Sequence, residues 1–176
     1  MPDLRLQRYD GGSAAAMMDT LADIYEAEYA EAPYQGNPVF SREAFTERTG
    51  RQVHEHGFTL LSGSVDDEPV GYTFGYSHAP GRWLPGPCNP PPPEALIQAP
   101  RFFVVELIIR RPFRRRGYAR QLMDNLLSDR AEPYAVLTAE PDAPARSIYP
   151  RWGWYEVCKM SGDAVTFDVL AKRLGI

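Results

Sequence analysis

The nine residues Arg-Phe-Phe-Val-Val-Glu-Leu-Ile-Ile at positions 101–109 constrain the fold more than any other stretch. In an extended chain Phe102, Val104, Glu106 and Ile108 share one side, and Phe103, Val105, Leu107 and Ile109 share the other. Both sides are apolar, so the strand must be covered on both faces, as a central strand is. Glu106 is the exception. A carboxylate inside a covered strand needs a cationic partner or a solvated cleft. A structural arginine such as Arg101 or Arg146 would meet that need. In the sharper reading the strand borders an active-site cleft, where partial burial raises the carboxyl pKa towards that of a useful base. The strand alone leaves both open.

The residues just after the strand add a second constraint. Five arginines occupy positions 110, 111, 114, 115 and 116, and Gly117 then opens a helix whose apolar stripe is Ala119, Leu122, Met123, Leu126 and Leu127. The N-terminus of a helix leaves backbone N–H groups unpaired, and its dipole attracts anions. Gly117 lets an anion approach the backbone closely, as does the small Ala119. These features make a phosphate or pyrophosphate cradle at a strand-to-helix turn. No Gly-Lys-Ser/Thr follows, so it is not a Walker A loop, and the three glycines of a dinucleotide fingerprint are missing. The bland alternative is a solvated basic loop capping a helix.

The rest of the chain supplies partners for the central strand. Residues 4–9 alternate as an opening strand. A helix follows "GGS", with Ser13 as candidate N-cap and Met17, Leu21, Ile24 and Tyr25 at helical spacing. A second helix is expected from after Ser41 to about His56, across Gly50. Residues 58–65 and 69–76 read as a hairpin. Residues 77–100 hold 8 of the 17 prolines, which predicts a long ordered or semi-rigid loop. Beyond the arginine-led helix come a strand at 134–139, a short helix burying Ala145, Ile148, Tyr149 and Trp152 and stopped by Gly153, and two closing strands. This order predicts an α/β sandwich, a mixed sheet with helices on both faces, in one domain spanning 1–176.

Composition excludes more than it assigns. The net charge of −4 argues against a broad nucleic-acid face, although 17 of the 19 basic residues are arginine, a bias that a GC-rich bacterial genome would produce. Cys88 and Cys158 have no ligand spacing and read as reduced thiols. His54 and His56 lie two apart on a helix and point to different faces, so no metal is expected. No apolar stretch reaches the roughly 18 residues needed to span a bilayer, and no secretory signal precedes residue 10; a soluble, cytoplasmic protein is expected.

"Arg114-Arg115-Arg116-Gly117-Tyr118-Ala119" resembles the Arg/Gln-x-x-Gly-x-Gly/Ala element of the GNAT superfamily of acyl-CoA-dependent N-acetyltransferases. The preceding "ELIIRRPF" looks like that family's fourth strand, and "DAPARSIYPRWGW" at 142–154 resembles its N-x-x-A-x-x-x-Y-x-x-x-G-F segment. The two motifs come in family order with a strand between them. The resemblance implies a GNAT-like acyl-CoA N-acyltransferase fold with a mixed, mostly antiparallel sheet. It implies acetyl-CoA as cofactor and coenzyme A as product, with the pyrophosphate on Arg114, Arg115, Arg116, Gly117, Tyr118 and Ala119. The pantetheine arm maps to backbone groups of Leu107, Ile108 and Ile109. Glu106 becomes the candidate base, directly or through water, and Tyr149 the candidate acid for the departing thiolate. Tyr25, Tyr29 and Tyr34 fall where similar proteins line the acceptor pocket, and with Glu26, Glu28 and Glu31 they could hold a cationic amine. The sequence departs from the pattern at Pro112, one place late, at Asp142, which stands for the usual Asn of the cofactor site, and at Pro150, which interrupts the last helix.

The expected activity is transfer of an acetyl group from acetyl-CoA to a small-molecule amine. The alternatives are a protein N-terminal or lysine acetyltransferase and a non-catalytic acyl-CoA-binding module. Nucleic-acid and membrane partners are not expected, and homodimers built on the C-terminal strands are common in similar proteins.

Overall fold

A computed structural model describes residues 3–162 and 164–175. In chain order the regular elements are β1 (Arg5–Tyr9), α1 (Gly11–Ala16), α2 (Met18–Tyr29), α3 (Arg42–Gln52), β2 (Thr59–Val65), β3 (Glu68–His78), β4 (Cys88–Asn89), α4 (Glu94–Gln98), β5 (Arg101–Ile109), α5 (Tyr118–Leu127), β6 (Tyr134–Ala139), β7 (Tyr155–Ser161) and β8 (Thr166–Arg173). The strands hydrogen-bond in the order β1-β2-β3-β5-β6-β8-β7-β4. The ladder is antiparallel at β1–β2, β2–β3, β6–β8, β8–β7 and β7–β4, and parallel at β5–β6. This is the mixed, mostly antiparallel sheet expected. Two compact units divide the chain: residues 1–76 with 105–128, and residues 77–104 with 129–176. Strand β5 runs through both.

In the first unit, Asp10 caps α1, its carboxylate accepting from the Ser13 N–H at 2.8 Å. Ser13 is therefore the group being capped and not the cap expected, and the helix opens three residues earlier, at Gly11. Ser41 does cap α3, accepting from the Ala44 N–H at 3.1 Å. That helix ends at Gln52, short of His56. The β2–β3 hairpin turns at Asp66 and Asp67, whose φ values of 51° and 63° give the twist a two-residue hairpin needs. Val70 to Tyr76 are buried without interruption, so both faces of β3 are covered. Gly71 is required by proximity: a Cβ there would lie 2.0 Å from the Ile108 carbonyl oxygen, so only glycine lets β5 close on β3.

In the second unit, the proline-rich segment is folded. Its β4 pairs with β7, Cys88 opposite Met160. Leu84 and Leu96 enter a core with Val136, Cys158, Val169 and Ala171. Proline has no N–H, so such a segment cannot satisfy its own carbonyls, and Arg101 does so instead. Only 1% exposed, Arg101 donates to the carbonyls of Leu96 (2.7 Å), Ile97 (2.5 Å), Ala99 and Arg82. Desolvation of the guanidinium lowers its pKa. The α-helix expected around Tyr149 is two 3-10 turns, Pro144–Ser147 and Tyr149–Trp152, because Pro144 and Pro150 cannot donate to an α ladder. Ile148 consequently leaves the face assigned to it and is 39% exposed.

Replacing Arg101 with Met keeps the stem and removes the donors, which should cost about 3 kcal/mol by stranding buried carbonyls. Urea unfolding and hydrogen exchange across 79–99 check this. A change below about 1 kcal/mol would mean the arginine does not hold the segment.

Candidate active site

Glu106 is 7% exposed, and neither arginine considered for it is its partner. Arg101 is engaged by the carbonyls of the proline-rich segment, and Arg146 pairs with Asp168 at 2.7 Å and Glu156 at 2.8 Å. The carboxylate instead accepts from the Tyr29 hydroxyl at 2.8 Å. Tyr29 stacks on Tyr25 with centroids 4.0 Å apart and lies 4.4 Å from Tyr34 and 5.3 Å from Phe40. Tyr25 stacks in turn on Phe45 at 4.1 Å. Helix α2 and the segment after it thus roof the carboxylate with aromatic rings. Burial pushes the Glu106 pKa from 4.5 up to about 7, against the opposing pull of the Arg48 charge and the Tyr29 hydrogen bond and with a further push from Glu28. Burial, together with the charge of Glu106, holds the Tyr29 phenol well above its ordinary value, so it remains a donor.

The backbone beneath is equally specific. The Arg110 N–H donates to the Val70 carbonyl at 2.8 Å, and the Glu106 carbonyl accepts from the Thr73 hydroxyl at 2.7 Å. Backbone groups of 106, 108 and 110 therefore face β3, and those of 105, 107 and 109 face the opposite edge. Of the three residues expected to meet a pantetheine arm, Leu107 and Ile109 turn their backbone groups away from β3. Ile108 does not: its carbonyl lies against Gly71. The Ile109 carbonyl also accepts from Arg114 Nε at 3.2 Å, which leaves its N–H as the group for a ligand.

The turn before α5 fits an anion. Gly117 is the N-cap in the left-handed region, φ 80°, with no side-chain cap, and Arg115 is also left-handed at φ 63°. A Cβ on Gly117 would meet nothing within 4 Å, so open space lies where a phosphate would approach. Arg115 and Arg116 are exposed beside it. Ala119 is half-buried in the first turn, and the Tyr118 ring packs on Val65, Val70 and Phe113, so only its backbone faces outward. Arg114 differs: its guanidinium donates to Glu28 and, at 3.0 Å, to Glu31.

A cavity of about 530 Å³ lies in the same unit, walled by Ile24, Ala27, Glu28 and Glu31 on one side and by Pro69 and Arg110 on the other. In the second unit, Tyr149 is buried edge-on to Trp152 and Trp154, with centroids 5.9 and 6.1 Å away. Asp142 is exposed after β6. The roles of Arg48 and Thr73 were not foreseen, because neither sits in a motif and each reaches Glu106 only through the packing of α3 and β3.

The Acetyltransferase (GNAT) family model matches residues 16–154, and the chain belongs to that family. The acetyl donor of the family is acetyl-CoA. A search of curated protein sequences finds no match. Among solved structures, PH1933 from Pyrococcus horikoshii OT3 is similar at 16% identity and TM-score 0.66, covering 99% of this chain and 100% of its own. The NatC complex bound to Gag peptide and CoA is similar at 12% identity and TM-score 0.64, over 98% and 99%. An aminoglycoside 6'-acetyltransferase type Ii is similar at 12% identity and TM-score 0.63, over 98% of each chain. At these identities the likeness is one of fold.

The raised carboxyl pKa has a stability consequence. Below pH 4.5 Glu106 is protonated in both folded and unfolded chains; between 4.5 and about 7 the unfolded chain ionises first, so the fold loses stability as pH rises and the loss is complete above about 7. Glu106→Gln should therefore gain on wild type between pH 4 and pH 8, by up to roughly 3 kcal/mol. Denaturant titration at the two pH values measures the gain, and a constant difference would contradict it.

Proposed function

We propose that this chain transfers the acetyl group of acetyl-CoA to the amine of a small molecule, with Glu106 as base. The observation that carries the reading is the buried Glu106 carboxyl, titrating at about 7 beneath the Tyr29 hydroxyl. Bound acetyl-CoA supplies an acetyl group already activated as a thioester. Its pyrophosphate would be held by the amides at the start of α5 with Arg115 and Arg116, and its pantetheine arm by the edge of β5 at Leu107 and Ile109. A protonated amine cannot attack an acyl carbon. Glu106, ionised in about half the molecules at neutral pH, takes that proton directly or through water, worth roughly 10²–10⁴-fold in rate. The backbone N–H of Ile109, in a strand end with no rotor to lose, is the donor for charge developing on the carbonyl oxygen. Tyr149 Oη is proposed to supply the proton that the leaving sulfur needs.

One feature favours a small acceptor: aromatic rings close over Glu106 where a polypeptide would need an open groove. The fold itself does not choose, since one structural neighbour is described with a peptide and another as an aminoglycoside acetyltransferase. Thiol release from acetyl-CoA across a panel of small amines and free-N-terminal or lysine peptides tests the choice. Turnover with peptides alone would assign the protein-directed activity, and acetyl-CoA binding without turnover a binding module.

With an active acceptor, kcat/KM should rise with pH through about 7, and Glu106→Gln should lose at least tenfold below that pH. Wild-type rates in that variant from pH 6 to 9 would place the base elsewhere. Gly117→Ala fills the open space at the helix start and should weaken coenzyme A binding by about tenfold, with a loss of roughly 1 kcal/mol from its left-handed φ. Unchanged calorimetric affinity would remove the cradle. Tyr149→Phe keeps the ring and should slow single-turnover chemistry by on the order of ten- to a thousandfold, with acetyl-CoA affinity unchanged. A Phe variant as fast as wild type would leave Tyr149 a packing residue.

A further inference from the structure

The arginines of the phosphate-binding turn are not equivalent. Arg115 and Arg116 are exposed, whereas each edge of the Arg114 guanidinium already has an acceptor: Glu28, Glu31 at 3.0 Å, and the Ile109 carbonyl at 3.2 Å. Glu28 is in the last turn of α2, Glu31 lies just beyond its C-cap Ala30, and Ile109 is the last residue of β5. The same turn of α2 carries Tyr29, whose hydroxyl bonds Glu106. One planar fork thus joins the end of the strand beneath the base to the helix that roofs it, a geometry that suits arginine and no other side chain.

We propose that Arg114 is a positioning residue for Glu106, clamping the last turn of α2 to the end of β5, and that its side chain does not bind the cofactor phosphate. The proposal rests on Glu106 being the base. The charged and titratable groups around Glu106 are Tyr25, Glu28 and Tyr29 of α2, Arg48 of α3 and Tyr72 of β3. Glu28 is the like charge among them, and Arg114 is the cation that neutralises it. Burial raises the Glu28 pKa while Arg114 opposes that rise, so the arginine favours the ionised form of this half-buried carboxylate and offsets part of its repulsion of the base. Removing the arginine would leave Glu28 without its cation beside Glu31, which keeps only Arg111 at 3.9 Å, and would release the helix end that holds Tyr29.

The test reads the base itself. Protein labelled with carboxyl-¹³C glutamate is titrated by NMR, and the Glu106 resonance is the one lost in Glu106→Gln. Arg114→Gln should raise the Glu106 midpoint by about half a pH unit or more, and Glu28→Gln should lower it; the double variant should return close to wild type. Calorimetry with coenzyme A should give a Kd for Arg114→Gln within about threefold of wild type, since no phosphate contact is lost. An unmoved midpoint, with coenzyme A binding weakened tenfold or more, would overturn the proposal and make the side chain a phosphate ligand. Where Arg114→Gln does not fold, Glu28→Gln still decides, because an unmoved midpoint there also overturns it. Neither readout uses turnover, so failure of Glu106 as base shows separately, as full activity in Glu106→Gln.

Discussion

The end of β5, from Val105 to Ile109, is held against β3, and most of the site depends on that hold. Gly71 admits the Ile108 carbonyl, Thr73 bonds the Glu106 carbonyl, and Val70 accepts from Arg110. Backbone groups of 105, 107 and 109 are thereby fixed in direction on the other edge, so an extended amide-bearing ligand could meet them with little loss of entropy.

Glu106 sits on that strand end, and opposing forces act on its carboxyl. Tyr29 and Arg48 both favour the charged form, yet the pKa still rises to about 7, so desolvation outweighs them. A fully paired carboxylate would be ionised and weakly basic; an unpaired buried one would be neutral at every working pH. The aromatic roof of Tyr25, Tyr29, Tyr34 and Phe40 sets the value between these limits by excluding water while leaving one hydroxyl in reach. The same burial makes the site a local drain on stability above neutral pH.

Much of this was legible in the sequence because it depends on periodicity and local sterics. The two-faced strand at 101–109, the hairpin at 59–78, the glycine-opened helix α5 and the carboxylate out of place at 106 all come from side-chain alternation or from φ-space. The features that could not be read were decided by long-range partners. The identity of Arg101 gives no hint that it would serve carbonyls up to 22 residues away, so the proline-rich segment read only as a long ordered or semi-rigid loop. Arg114 stands in a motif associated with phosphate, and only the packing of α2 reveals that Glu28 and Glu31 claim it. Alternation could assign Ile108 to the strand but not its carbonyl to β3. Pro144 and Pro150 were visible, and their effect on the segment around Tyr149 was larger than an interruption: no α-helix forms there at all.

A crystal structure of the chain with coenzyme A bound tests the central claim most directly. The account predicts the pantetheine arm along Val105–Ile109, hydrogen-bonded to the edge opposite β3, with the pyrophosphate on the amides of Arg115–Ala119 and Arg114 still paired with Glu28. Coenzyme A seated away from β5, or a pyrophosphate away from the start of α5, would contradict the account.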